Sequence, residues 1–183
     1  MLLSAGIAHA ESRYQLQAGF TGGSGFFVPA FVGVSPTVAV GVESGDSVWL
    51  LGLGVQAAYS HRLIAFTVNG QQSFVYGDDT TVGASIAPGY RRYLSGFETG
   101  FAPLVEGSLE ISAAHTSLEN ISGFTLGLAG TAGFGGEARF GDHFAINARL
   151  FARLGGSHQS SGAPSTYSLT FGVGTAAGVL LRF

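Results

Sequence analysis

Few side chains in this chain could do chemistry, and their spacing limits which chemistry to consider. His115-Thr116-Ser117, with Glu119 close by, sets an imidazole and a hydroxyl two residues apart. On an extended strand residues i and i+2 share a face. His115 could then activate the Ser117 oxygen while a carboxylate orients the ring. Glu106 and Glu110 could serve as paired acid–base carboxylates, but with no substrate cleft in view charge pairing is the simpler role. His61, Ser73, Asp78 and Asp79 share one stretch, with a composition that any polar loop has. His9, His61, His115, His143 and His158 show no paired ligand spacing, so no metal site is expected. Three of them, His61, His115 and His158, fall in segments that outer loops could bring together. There is no cysteine, which removes disulfide and thiolate chemistry. The glycine-rich runs 19–23 and 133–136 lack the strand–helix context of a phosphate loop. No cofactor is expected, and catalysis is not the favoured reading.

The remaining charges are more informative once the elements that carry them are laid out. Only 10% of the 183 residues are charged, none is lysine, and thirty are glycine. Soluble domains carry about a quarter charged residues. The net charge of -3, with no basic patch, gives no reason to expect nucleic acid. Mean hydropathy is positive, +0.36, yet the least polar stretch, 26–42, is interrupted by Pro29, Gly33, Pro36 and Gly41. It is too short and too broken for a spanning helix of roughly 20 apolar residues.

The alternative is a membrane β-barrel, in which only alternate residues face lipid. Period-two alternation is clearest over the last seventeen residues. Tyr167, Leu169, Phe171, Val173, Val179, Leu181 and Phe183 stand on one face, and Ser168, Thr170, Gly172, Gly174, Gly178 and Arg182 on the other. It recurs at 48–60, 101–113, 124–140 and 143–154, and less sharply at 13–22, 36–43 and 81–93, which makes eight strands. Connections 44–47, 95–100 and 141–143 are short, whereas 23–35, 61–80, 114–123 and 156–166 are longer and polar. Short turns at one rim and long loops at the other is the build of an outer-membrane barrel, and an even strand count puts both termini at the short-turn, periplasmic rim. The polar face is Gly, Ala, Ser and Thr rather than lysine and glutamate. Small residues suit the crowded lumen of an eight-stranded barrel.

That assignment sends Glu43, Arg91, Glu106, Glu110, Glu137, Arg139, Arg149, Arg153 and Arg182 inward. Unpaired buried charges are costly, so these four acids and five bases are expected to pair into a plug, with Glu137 diagonal to Arg149. Trp49, Tyr59, Phe101, Phe140, Phe144 and Tyr167 are expected at the membrane interfaces, with Phe97 and Phe183 joining the periplasmic girdle. At the N-terminus, 1–10 is apolar and ends in Ala8-His9-Ala10, so it reads as the remnant of an export signal, with one barrel domain over 11–183.

The C-terminal strand, Ala176-Ala177-Gly178-Val179-Leu180-Leu181-Arg182-Phe183, resembles the assembly signal of small OmpA/OmpX-like outer-membrane β-barrels. Gly178, Leu181 and Phe183 match that pattern, while Ala176 stands where a polar residue is usual. The runs 87–93 and 135–142 resemble segments common in the same group. The resemblance implies a Gram-negative cell envelope, a porin-like fold without helices, and recognition by the barrel-assembly machinery. It implies contact with outer-membrane lipid and lipopolysaccharide, and leaves function open among anchors, adhesins, small channels and lipid A-modifying enzymes. The last class uses a His-x-Ser pair with a distant Glu, which His115 and Ser117 match over two residues only. The favoured expectation is a structural or surface-interaction barrel, with loop 61–80 as the contact surface for a protein partner. A small channel is the alternative.

Overall fold

The computed structural model describes residues 13–25, 32–68, 71–96, 100–118, 121–161 and 163–183. The expected export remnant 1–10, Pro29, Phe97 and Glu119 lie outside them. Eight strands follow one another: β1 (Arg13–Gly25), β2 (Val32–Ser44), β3 (Ser47–Val68), β4 (Gln71–Tyr93), β5 (Phe101–Leu118), β6 (Ile121–Phe140), β7 (Phe144–Ser161) and β8 (Ala163–Arg182). Each is antiparallel to the next, and β8 returns to β1 to close an up-and-down barrel.

Alternation decides which way each strand faces. Trp49, Leu51, Leu53 and Val55 point outward along β3, with Trp49 65% and Leu53 58% exposed. Phe124, Leu126, Leu128 and Phe134 do the same on β6, and Leu150 and Leu154 on β7. The apolar side chains therefore coat the outside, which inverts the arrangement of a soluble barrel and suits hydrocarbon. Closure places the strands' backbone groups in ladders on both sides, as a lipid-spanning backbone requires. Pro36 and Pro88 fit because each lies at a gap in one ladder: β2–β3 pairing passes from Val34↔Ala57 to Thr37↔Gly54, and β4–β5 pairing from Ile86↔Ile111 to Gly89↔Ser108.

The short turns within 44–47 and 141–143 fall where the sequence places them. Gly45 (φ 59°) and Gly141 (φ 75°) supply the left-handed residues that such turns need. Aromatic side chains gather at the same rim. Trp49 packs edge-on against Tyr90 at 5.0 Å, Phe140 lies 5.9 Å from Phe144, and Tyr14, Phe101 and Phe183 are exposed beside them. The Tyr90 hydroxyl shares a 2.7 Å hydrogen bond with Ser47.

The long connections differ from the expectation. Within these segments the described residues 23–25, 32–35, 61–68, 71–80, 114–118, 121–123, 156–161 and 163–166 belong to the ends of strands. β3 and β4 stay paired from Ser60↔Asp79 to Val68↔Gln71, β5 and β6 to Leu118↔Ile121, and β7 and β8 to Ser161↔Ala163 past one register shift. A tilted membrane strand needs about 9–11 residues, whereas β3 and β4 have 22 and 23. Beyond the membrane both faces of a ribbon meet water, so pairing can continue after the apolar–polar contrast has faded. Asn69-Gly70, between the paired Val68 and Gln71, is the dipeptide that most favours a two-residue hairpin connection, a signal the loop reading passed over.

Candidate functional site

The lumen is where the strands bring charges together. Nearest the short-turn rim, β4 contributes Arg91 and Tyr93, β6 Glu137 and Arg139, β8 Arg182, β2 Glu43 and β1 Gln17. Glu137 is wholly buried and takes a 2.6 Å hydrogen bond from the Tyr93 hydroxyl. It also pairs with Arg182 at 2.6 Å, Arg139 at 3.2 Å and Arg91 at 3.4 Å. Arg91, also wholly buried, spans the bore. Its guanidinium donates to Glu106 on β5 at 2.8 Å and to Gln17 on β1 at 2.8 Å. Arg182 and Arg139 share Glu43 at 2.8 and 3.7 Å. The Arg139 guanidinium also lies 5.3 Å from the Tyr93 ring centre. A buried charge needs such partners, because leaving water is costly for each ion and only good geometry offsets that cost.

A second layer lies nearer the long-hairpin rim. Arg149 pairs with Glu106 at 3.1 Å, and Arg153 with Glu110 at 2.9 Å, while the Gln56 amide donates to Glu110 at 3.3 Å. The expected diagonal pair of Glu137 and Arg149 does not form. Glu137 is held by the three arginines nearer the short-turn rim, and Arg149 turns to Glu106. That contact joins β5 to β7 across β6, where Glu106 faces Gly133 and Arg149 faces Gly135. With no side chain at those two positions, nothing stands between the partners.

Seven of the nine charged residues assigned inward, Glu43, Arg91, Glu106, Glu137, Arg139, Arg149 and Arg182, form one connected set of ion pairs, and Arg153 with Glu110 forms a separate pair. Sequence reasoning missed the apolar stopper. Val48, Tyr93, Ala102 and Leu104, with Leu50 against them, form a buried cluster on the inner face beside the charges. Parity alone could have placed them there, since Val48 and Leu50 alternate with Trp49. Phe151 was also missed: it lies between Arg149 and Arg153 on β7, and its ring rests against Gly174 of β8. Past this level the interior opens into a cavity of about 220 Å³, lined by Gln56, Ser108, Thr131, Arg149, Phe151 and Arg153 among others.

The other candidates are not assembled into sites. His115 and Ser117 lie within β5 rather than a loop, with both side chains exposed on its outer face. No hydrogen bond joins them. His158, on β7 rather than in a loop, stacks on Tyr167 at 4.6 Å. The side chains of Tyr59, His61, Ser73, Asp78 and Asp79 lie outside the described residues. Among the described residues no group of His, Asp and Glu could hold a metal ion.

No protein-family model matches the chain, and no curated protein sequence does. Solved structures do. Neisserial surface protein A superposes with a TM-score of 0.61 at 14% identity, covering 93% of this chain and 97% of that one. The N-terminal β-barrel domain of Pseudomonas aeruginosa OprF gives a TM-score of 0.47 at 15% identity, covering 93% and 97%. At such identity the first likeness is one of fold: an eight-stranded transmembrane barrel of the outer-membrane kind.

Proposed function

We propose that this barrel resides in the bacterial outer membrane with both termini in the periplasm, and works through its outer hairpins rather than through its bore. Gly178, Leu181 and Phe183 at its end would serve the barrel-assembly machinery, and the apolar belt would meet lipid and lipopolysaccharide. The observation that carries the reading is the contrast between the two rims. At one, Arg91, Tyr93, Glu137 and Arg182 fill the bore with almost no exposed surface. At the other, β3 and β4 continue alone for eight pairs, from His61↔Asp78 to Val68↔Gln71, past the last described pairings with β2 and β5. On the β4 side the last described β5–β6 pair is Leu118↔Ile121. An edge that, among the described residues, pairs with no third strand is a template for a partner that adds one.

Conductance of the refolded protein in a planar lipid bilayer tests the closed bore, with the gel shift between heated and unheated samples as the folding control. Silence or rare flickers from a folded barrel are expected. Steady, uniform openings would mean a channel, with Arg149 and Glu106 then facing the permeating ions.

A further inference from the structure

From the lumen cavity we infer that this protein binds a small monocarboxylate with a short hydrocarbon body, seated between Arg149, Phe151 and Arg153. A plug needs matched charges and no more, and three features here exceed that need. First, donors outnumber acceptors. A guanidinium has five N–H groups, yet Arg149 has one carboxylate partner, Glu106, and Arg153 has one, Glu110. The Arg153 Nε is buried without a partner. Glu106 is already engaged by Arg91, and Glu110 by Gln56. Arg149 shares its carboxylate partner, Glu106, with Arg91.

Second, the cavity wall sets an aromatic face between the two arginines. Phe151 stands between the two arginines on the inner face of β7, its ring against Gly174, where an added Cβ would meet it. A carboxylate would accept from the spare guanidinium donors while its hydrocarbon portion lies on the ring, the mix of one apolar surface and few polar groups typical of ligand sites. Third, the space suffices. The cavity's 220 Å³ far exceeds the roughly 10–15 Å³ that one water needs. The Ser108 and Thr131 hydroxyls, 2.6 Å apart on the wall, add further polar contacts.

The test uses the whole chain, labelled with ¹⁵N-arginine and refolded in micelles, with the gel shift as folding control. Sodium propionate is titrated at constant ionic strength while the arginine Nε–H signals are followed. Propionamide, its neutral isostere, and sodium chloride are the controls. Saturable shifts of the Arg149 and Arg153 signals with propionate, absent with both controls, are expected. Arg153→Gln should weaken the midpoint by about tenfold or more, as loss of a charged hydrogen bond does. Gly52→Val puts a branched side chain into the cavity from β3 without altering any charge, since a Cβ there meets nothing closer than 3.5 Å. It should abolish the saturable shift. Equal responses to propionate and propionamide, no response at all, or wild-type binding in Gly52→Val would each overturn the assignment. If Arg153→Gln does not fold, Gly52→Val decides the matter.

Discussion

Glu137 shows how much of this molecule rests on single side chains. Three guanidiniums and the Tyr93 phenol converge on one buried carboxylate, and all of them but Arg139 are buried away from water. Removing one partner of a buried charge system is far worse than replacing the whole by apolar residues, because the remaining charges stay buried. Glu137→Ala is therefore expected to destabilise the barrel by about 3–5 kcal/mol. A lower urea midpoint for unfolding from lipid vesicles would register the loss, and an unchanged midpoint would show that Arg91, Arg139 and Arg182 find other partners. The inward position of Glu137 was legible in the sequence, because parity along 124–140 separates it from Phe134 and Phe140. Its partners were not, because contacts across a bore depend on which strands curve to face one another.

Among the elements, the β3–β4 hairpin divides into two parts with different duties. From Ser47 to Tyr59 and from Asp79 to Tyr93 the strands are held by neighbours on both sides. Between them the ribbon pairs only with itself among the described residues. Deleting 62–77 and joining the ends with a short Gly-Ser linker should leave the barrel folded, because the ladders in the belt remain. The gel shift on heating would persist, and its loss would show that the hairpin is needed for barrel assembly. The sequence marked this segment as polar and turn-rich, which is true of its composition. It did not reveal a strand, because period two is the sequence signature of a strand with two unlike environments and this segment does not carry it.

At the scale of the whole molecule, closure is the step that turns eight strands into one body. β1 meets β8 from Gln15↔Arg182 to Gly25↔Gly172, and Tyr14 and Phe183 exchange backbone hydrogen bonds at the rim. The seam is tight at Gly19, where an added Cβ would run into the Ala177 carbonyl and lie 2.9 Å from the Gly178 Cα. Backbone cannot yield there as a flexible side chain could. Gly19→Val should therefore fail to give the heat-dependent gel shift, whereas Gly130→Val, on the outer face of β6 with open space around it, should give it normally. Equal behaviour of the two variants would mean that the seam is looser than its geometry.

The sequence by itself determined the strand number, the facing of each strand and the sites of the short turns at 44–47 and 141–143. All three follow from local rules: alternation between lipid and lumen, and glycine where φ must be positive. The tertiary structure alone decided how the lumen charges sort into two layers, why Arg149 answers Glu106 rather than Glu137, and how Val48, Tyr93 and Leu104 meet as a stopper. It also set the length of the outer hairpins. Those outcomes depend on register and curvature around a closed ring, which bring together residues from strands that no local pattern relates.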